Sequence, residues 1–304
     1  MTEKALMQKM NITPVEVLEE LKVKTALPLD LINSRELGGY RLAGGRRVKR
    51  GLLLRTSRMV DASAEDLRKL ERDYSLALIL DMRGDDEVVT DKDPEIPGAK
   101  WVHTPIIDME VFRRSLSARQ QAHQEPSAEE TLRDPNFFIK MLTGAIREQF
   151  SEGSEGLPVY AAYLESSLGQ RNLGLFFHEI AKTEEGAVLW HCYTGKDRTG
   201  IAAGLLLSIF GADEETIMAD YEVSNLSYAE NVAKMWEKVS PFGEDDEVTA
   251  RICGVLAGVH YSMMDLAWKY MKETWGSPEE YLVRACGVTP EEIEAIRERY
   301  TEEI

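Results

Sequence analysis

GAVLWHCYTGKDRTGIAAGLLLSIF, residues 186–210, decides how this chain is read. GAVLW is a short apolar run of the kind that forms a buried parallel strand, and residues 199–210 are apolar at helical spacing. The segment between them is therefore a strand–loop–helix junction. A loop there can turn several backbone N–H groups toward one point, at the positive end of the helix dipole, and so build an anion site. Gly195 permits the tight path. Arg198 adds a planar fork able to grip two oxygens of a phosphate at once. Cys192 stands at the strand end, where a field that holds an oxyanion also favours a thiolate, the nucleophilic form of the side chain. Thr199 is placed to donate its hydroxyl to that sulfur. The plainer reading is a small apolar cysteine packed at a strand end. It leaves Gly195, Arg198, Thr199 and Gly200 unexplained at their fixed offsets.

Working outward, residues 76–80 are a wholly apolar run stopped by Asp81, as a buried parallel strand reads at its carboxyl end, and 101–107 is another strand candidate. LGGYRLAGGRRVKRGLLLRT reads as two short strands around a Gly-Gly turn. Residues 63–73 form a helix opened by Ser63 with Asp66 three positions on. The first 26 residues are a polar lead-in with a short helix over 15–24. Residues 109–183 show helical spacing in pieces: Phe137, Phe138, Met141, Leu142 and Ile146 share a face, as do Tyr160, Tyr163 and Leu164. This insertion is a candidate lid, with plain packing as the equal alternative. From 199 to 304 the pattern is mainly helical, with helices expected over 213–225, 227–239, 248–275, 277–286 and 289–300. Strands interleaved with helices, then helices alone, predict one α/β domain over 1–304, with a short, mostly parallel sheet covered by helices.

Composition supports a globular chain: 304 residues, 43% hydrophobic and 29% charged. No apolar run reaches membrane-spanning length, and the charged start does not resemble a secretory signal. Three cysteines, Cys192, Cys253 and Cys286, make no disulfide framework, so a reducing, cytoplasmic setting is expected; unconventional secretion stays open. A net charge of −17 argues against nucleic-acid binding and against an anionic bilayer. The charge is uneven. Residues 212–304 carry 8 Lys/Arg against 21 Asp/Glu, whereas Arg35, Arg41, Arg46, Arg47, Lys49, Arg50, Arg55 and Arg58 face Glu36 alone within 35–58. Most of that basic segment reads as a solvated hairpin. RRVKR runs straight into LLL, which discounts a nuclear-localisation string. His103, His123, His178 and His260 have no metal-ligand spacing, so neither a metal nor another cofactor is expected. The oligomeric state is not legible.

HCYTGKDRTG resembles the signature loop of the cysteine-dependent protein-tyrosine phosphatases. With Lys196 and Asp197 inside, it is similar to the version in bacterial tyrosine/serine phosphatases that also accept phosphoinositides. NSRELGGYRLAGGRRVKRGLLLRTSRM (33–59), LILDMRGDDEV (78–88), ADYEVSN (219–225) and 276–282 extend the likeness over most of the chain. Met82 and Gly84 depart from it, where Leu and Ser are common. The resemblance implies a phosphatase-type α/β fold with helices on both faces of the sheet and a helical insertion. It also implies a phosphocysteine mechanism: Cys192 attacks phosphorus, while Arg198 and the backbone of Tyr193, Thr194, Gly195, Lys196, Thr199 and Gly200 hold the phosphoryl oxygens. His191 is expected to orient the loop. Three aspartates compete as general acid: Asp197, favoured by the resemblance; Asp81, more readily an ion-pair partner of an arginine such as Arg83; and Asp108, after the strand at 101–107. Lys196 with Arg35, Arg55 and Arg58 is a candidate cationic wall for a phosphorylated inositol ring. The expected partner is a phosphorylated protein or phosphoinositide. The alternatives are an inositol-polyphosphate phosphatase and a module that binds phosphate without hydrolysing it.

Overall fold

The computed structural model describes residues 2–107, 159–242 and 245–304. Asp108, His123, the apolar face from Phe137 to Ile146 and most of the lid candidate lie outside them. The helices are α1 (Glu3–Met10), α2 (Val15–Thr25), α3 (Ala64–Arg72), α4 (Asp85–Thr90), α5 (Val159–Glu165), α6 (Ser167–Lys182) and α7 (Asp197–Phe210). Then follow α8 (Glu214–Ser227), α9 (Ala229–Val239), α10 (Asp246–Leu256), α11 (Tyr261–Trp275), α12 (Pro278–Arg284) and α13 (Pro290–Tyr300).

Five strands form the main sheet: β1 (Arg35–Glu36), β4 (Leu53–Thr56), β7 (Val188–His191), β5 (Leu78–Asp81) and β6 (Lys100–His103), in that spatial order. The last four run parallel, and β1 pairs antiparallel with β4. Every residue of β4, β5 and β7 is buried, because each face of the sheet is covered. Leu53, Leu78, Leu80, Val188 and Trp190 point into a core shared with α6, α7, α12 and α13. Their neighbours Leu54, Ile79 and Leu189 point the other way, onto Leu70 of α3. The two-residue alternation of a strand thus loads two separate cores. In register, Thr56, His191 and Asp81 end side by side, so the carboxyl edge of the sheet gathers β4, β7 and β5 under the loop that follows β7.

A second sheet holds β2 (Arg41–Leu42), β3 (Arg46–Val48) and β8 (Thr301–Glu303). Gly44 and Gly45, at φ 71° and 72°, make the turn between β2 and β3. Ser63 and Asp66 form the full capping box of α3. The sequence places one helix over 248–275, and the structure corrects this to two. Asn225 accepts from Val259 N at 2.7 Å and donates to Val259 O at 3.0 Å, taking that peptide out of any helical ladder. Neither α1 nor β8 is anticipated by the sequence reading. No helix among the described residues is long and apolar enough to cross a membrane.

Candidate active site

The loop after β7 and the first turn of α7 bring Cys192 and Arg198 together. Gly195 takes φ 65°, and a Cβ there would lie 2.3 Å from Thr56 O, so glycine is required on both counts. Cys192 is only 1% exposed. Burial pushes its thiol up, but the Arg198 charge and the Thr199 hydroxyl and amide outweigh it, leaving it below the ordinary thiol value. Cys253 and Cys286, buried with no cation beside them, are pushed up to about 12, in Cys286 despite the Tyr281 hydroxyl.

Arg198 is held as a fork. Nη1 and Nη2 meet Glu87 at 2.5 and 2.9 Å, and Nη1 also donates to Met82 O at 3.3 Å. Glu87 itself caps Gly84 N at 2.7 Å, so α4 carries the carboxylate that aims the guanidinium. Burial opposes the charge on Arg198, but Cys192 and Glu87 together raise its pKa.

Asp81 is fully buried and bound by Arg83: Nε lies 2.9 Å from Oδ1 and Nη2 2.6 Å from Oδ2. Arg83 reaches on to Asp93 at 2.8 Å. His191 spans from Asp93, 2.8 Å from Nε2, to Cys192 O, 3.1 Å from Nδ1. A carboxylate and a carbonyl only accept, so this geometry favours the ring with both nitrogens protonated. Burial lowers the His191 pKa, but the Asp93 bond and the Asp81 and Asp93 charges raise it overall. The stability linked to this charge is present below the ordinary histidine value and is lost as pH rises through the raised one. Asp81, Asp93 and His191 are close enough to resemble a metal-ligand set. The two aspartates already hold a cation of their own, the Arg83 guanidinium.

The cationic wall does not assemble. Arg35 and Arg55 are buried and share Asp220: Arg35 Nε meets one oxygen at 3.0 Å and Arg55 Nη1 the other. Lys196 is 5% exposed and donates to Gly258 O at 2.9 Å, its ammonium 5.4 Å from the Tyr228 ring. Arg58 pairs with Asp61 and Asp91 at 2.8 and 3.0 Å and lies over the exposed Tyr193 ring. Of the basic segment, Arg41, Arg47 and Arg50 are exposed, as read from the sequence. Asp220→Ala would strand two buried guanidinium groups, so a loss of about 3–5 kcal/mol in urea unfolding is expected. A loss under about 1 kcal/mol, the range of a surface pair, would remove Asp220 from the framework.

Asp197 opens α7 and accepts a hydrogen bond from Tyr160 of α5, whose hydroxyl lies 2.7 Å from that of Tyr221. Glu87, Asp93, Tyr160, Asp220, Tyr221 and Tyr228 were all missed by the sequence reading. Glu87 and Asp220 fall within segments that carried the family likeness, but nothing local separates Glu87 from Asp85 and Asp86.

A buried thiol held low by a clamped arginine, at a glycine-bent loop between strand and helix, is the arrangement that the resemblance implies. A model of the tyrosine phosphatase family matches residues 28–302. The chain belongs to that family. It is a phosphoric monoester hydrolase of protein-tyrosine-phosphatase type. A candidate tyrosine-protein phosphatase of Cupriavidus necator is 28% identical over 84% of this chain and 82% of its own length. A tyrosine-protein phosphatase of Nostoc commune is 33% identical over 40% of the chain and 42% of its own. A triple specificity protein phosphatase of Mycobacterium tuberculosis is 33% identical over 36% and 42%, respectively.

Proposed function

We propose that this phosphatase hydrolyses phosphotyrosine in proteins, with phosphoserine and phosphothreonine as slower substrates, through a phosphocysteine intermediate. The carrying observation is the lowered Cys192 thiol beside an arginine whose fork Glu87 fixes. In the first step the Cys192 Sγ–phosphorus bond forms and the phosphorus–oxygen bond to the leaving group breaks. Asp197 delivers a proton to the departing oxygen. Tyr160 donates to Oδ1 of Asp197, which leaves Oδ2 to carry that proton. Water then attacks phosphorus and gives a proton back to Asp197, and the sulfur leaves as thiolate. Arg198 and the loop amides hold the equatorial oxygens, where charge gathers in the transition state. Asp81 is unsuited to the acid's task, because Arg83 engages both of its oxygens.

The phosphoinositide reading leaned on Arg35, Arg55, Arg58 and Lys196, and all four are turned to protein partners. Rates on a phosphotyrosine peptide, a phosphoserine peptide, phosphoinositide vesicles and free inositol hexakisphosphate are expected to be highest on the first. A higher rate on either inositol substrate would overturn the substrate assignment. Failure to hydrolyse p-nitrophenyl phosphate would make the protein a phosphate-binding module instead.

A further inference from the structure

The carbonyls of the loop are all held from behind. Cys192 O lies 3.1 Å from the His191 ring, and Tyr193 O accepts from Arg58 N at 3.1 Å. Thr194 O accepts from the Tyr228 hydroxyl at 2.7 Å. Gly195 O accepts twice, from Asn33 Nδ2 at 2.8 Å and Arg55 Nη2 at 2.9 Å. By contrast, the amide N–H groups of Tyr193, Thr194, Gly195 and Lys196 donate to no described residue. The two facts are linked. A planar trans peptide points its C=O and its following N–H in opposite directions, and no peptide here is cis. Fixing Thr194 O outward turns the Gly195 N–H inward; fixing Gly195 O outward does the same for Lys196.

We propose that Asn33, Arg55 and Tyr228 are positioning residues that set the oxyanion affinity of the loop by holding its carbonyls outward. Each donor is itself locked. Arg35 Nη1 donates to Asn33 Oδ1 at 2.6 Å, which orients that amide so that its NH₂ faces Gly195. Asp220 holds Arg55. Tyr228 sits at the junction of α8 and α9 and is 8% exposed. Lys196 belongs to the same device: its side chain is drawn back to Gly258 O, so its contribution to the cradle is its backbone. A carbonyl that loses its buried donor gains by rotating its peptide toward another, and each rotation withdraws one amide from the anion.

This inference rests on the phosphate-cradle reading above, and the test separates the two. Tungstate binding is measured by calorimetry on the full chain carrying Cys192→Ser, then with Asn33→Gly or Tyr228→Phe added. Asn33 has φ 60°, which glycine adopts freely, so Asn33→Gly removes the donor without backbone strain. Tyr228→Phe removes one hydroxyl and keeps the ring beneath Lys196. Tyr228→Phe, which takes from Thr194 O the hydroxyl that holds it, is expected to weaken tungstate about tenfold, the worth of one buried hydrogen bond to such a cradle, and Asn33→Gly less, because Arg55 Nη2 still donates to Gly195 O. In the Cys192 background kcat on a phosphotyrosine peptide should fall in step, since the amides bind the transition state more tightly than the ester. Should Asn33→Gly fail to fold, Tyr228→Phe alone decides. Tungstate affinity unchanged in folded Tyr228→Phe overturns the positioning role. No tungstate binding by Cys192→Ser itself overturns the cradle reading as well.

Discussion

Cys192→Ser is expected to abolish turnover while tungstate or vanadate still binds. The loop amides and Arg198 survive the change, but a serine hydroxyl has no base to ionise it, and the field that suffices for a thiol falls far short for an alcohol. Activity should drop below about a thousandth of the wild-type rate. Residual hydrolysis above that would remove Cys192 from the nucleophile's role. Arg198→Ala should lose turnover and oxyanion binding together, and leave Glu87 without its partner. The thiol supplies an independent check. Because its pKa lies below the ordinary thiol value, the ultraviolet absorbance of the Cys192 thiolate, read as the difference from Cys192→Ser so that access to the buried sulfur does not matter, should fall away only as pH drops through that lowered value. Cys253 and Cys286 contribute equally to both proteins, and a midpoint at or above the ordinary thiol value for Cys192 would contradict thiolate activation.

The second large effect concerns proton delivery. An aryl phosphate such as p-nitrophenyl phosphate departs with little protonation, whereas the alkyl oxygen of phosphoserine needs a proton. Asp197→Asn is therefore expected to lower phosphoserine hydrolysis by roughly 10²–10⁴, with a much smaller loss on p-nitrophenyl phosphate. Asp81→Asn should weaken both substrates alike and lower stability, since it strips a carboxylate from the fully buried Arg83. A leaving-group-dependent loss in Asp108→Asn, with none in Asp197→Asn, would move the acid to the segment after β6.

The strand–loop–helix at 186–210 was legible because its signals are local: an apolar run, a glycine, an arginine and a second apolar run in contiguous sequence. The same holds for the Ser63–Asp66 cap and for the glycine turn of the hairpin. What the sequence hid depends on contacts across the fold. Arg35 and Arg55 look like their solvated neighbours until Asp220, from α8, joins them inside. Glu87 is one of three consecutive acids, and only the sheet edge selects it to face Arg198. The break between α10 and α11 escaped because the apolar period runs on through Gly258; the Asn225 amide, from another helix, imposes it. Lys196 misled for a related reason. A lysine inside an anion loop suggests a ligand, but its ammonium finds a carbonyl freed by that same break.

That arrangement has a consequence for how the protein comes into being. The groups that hold Gly195 lie 162 and 140 residues away along the chain, and the carbonyl that takes Lys196 lies 62 residues further on. Long loops must close before any of these contacts forms, which places them late in folding. A nascent chain that has passed Gly200 but not yet Gly258 carries the whole signature and lacks the acceptor for Lys196. Synthesis runs at roughly 5–20 residues per second, so this interval lasts seconds. The contacts that brace the loop from Asp220, Tyr228 and Gly258 are therefore made only after the signature itself has been synthesised.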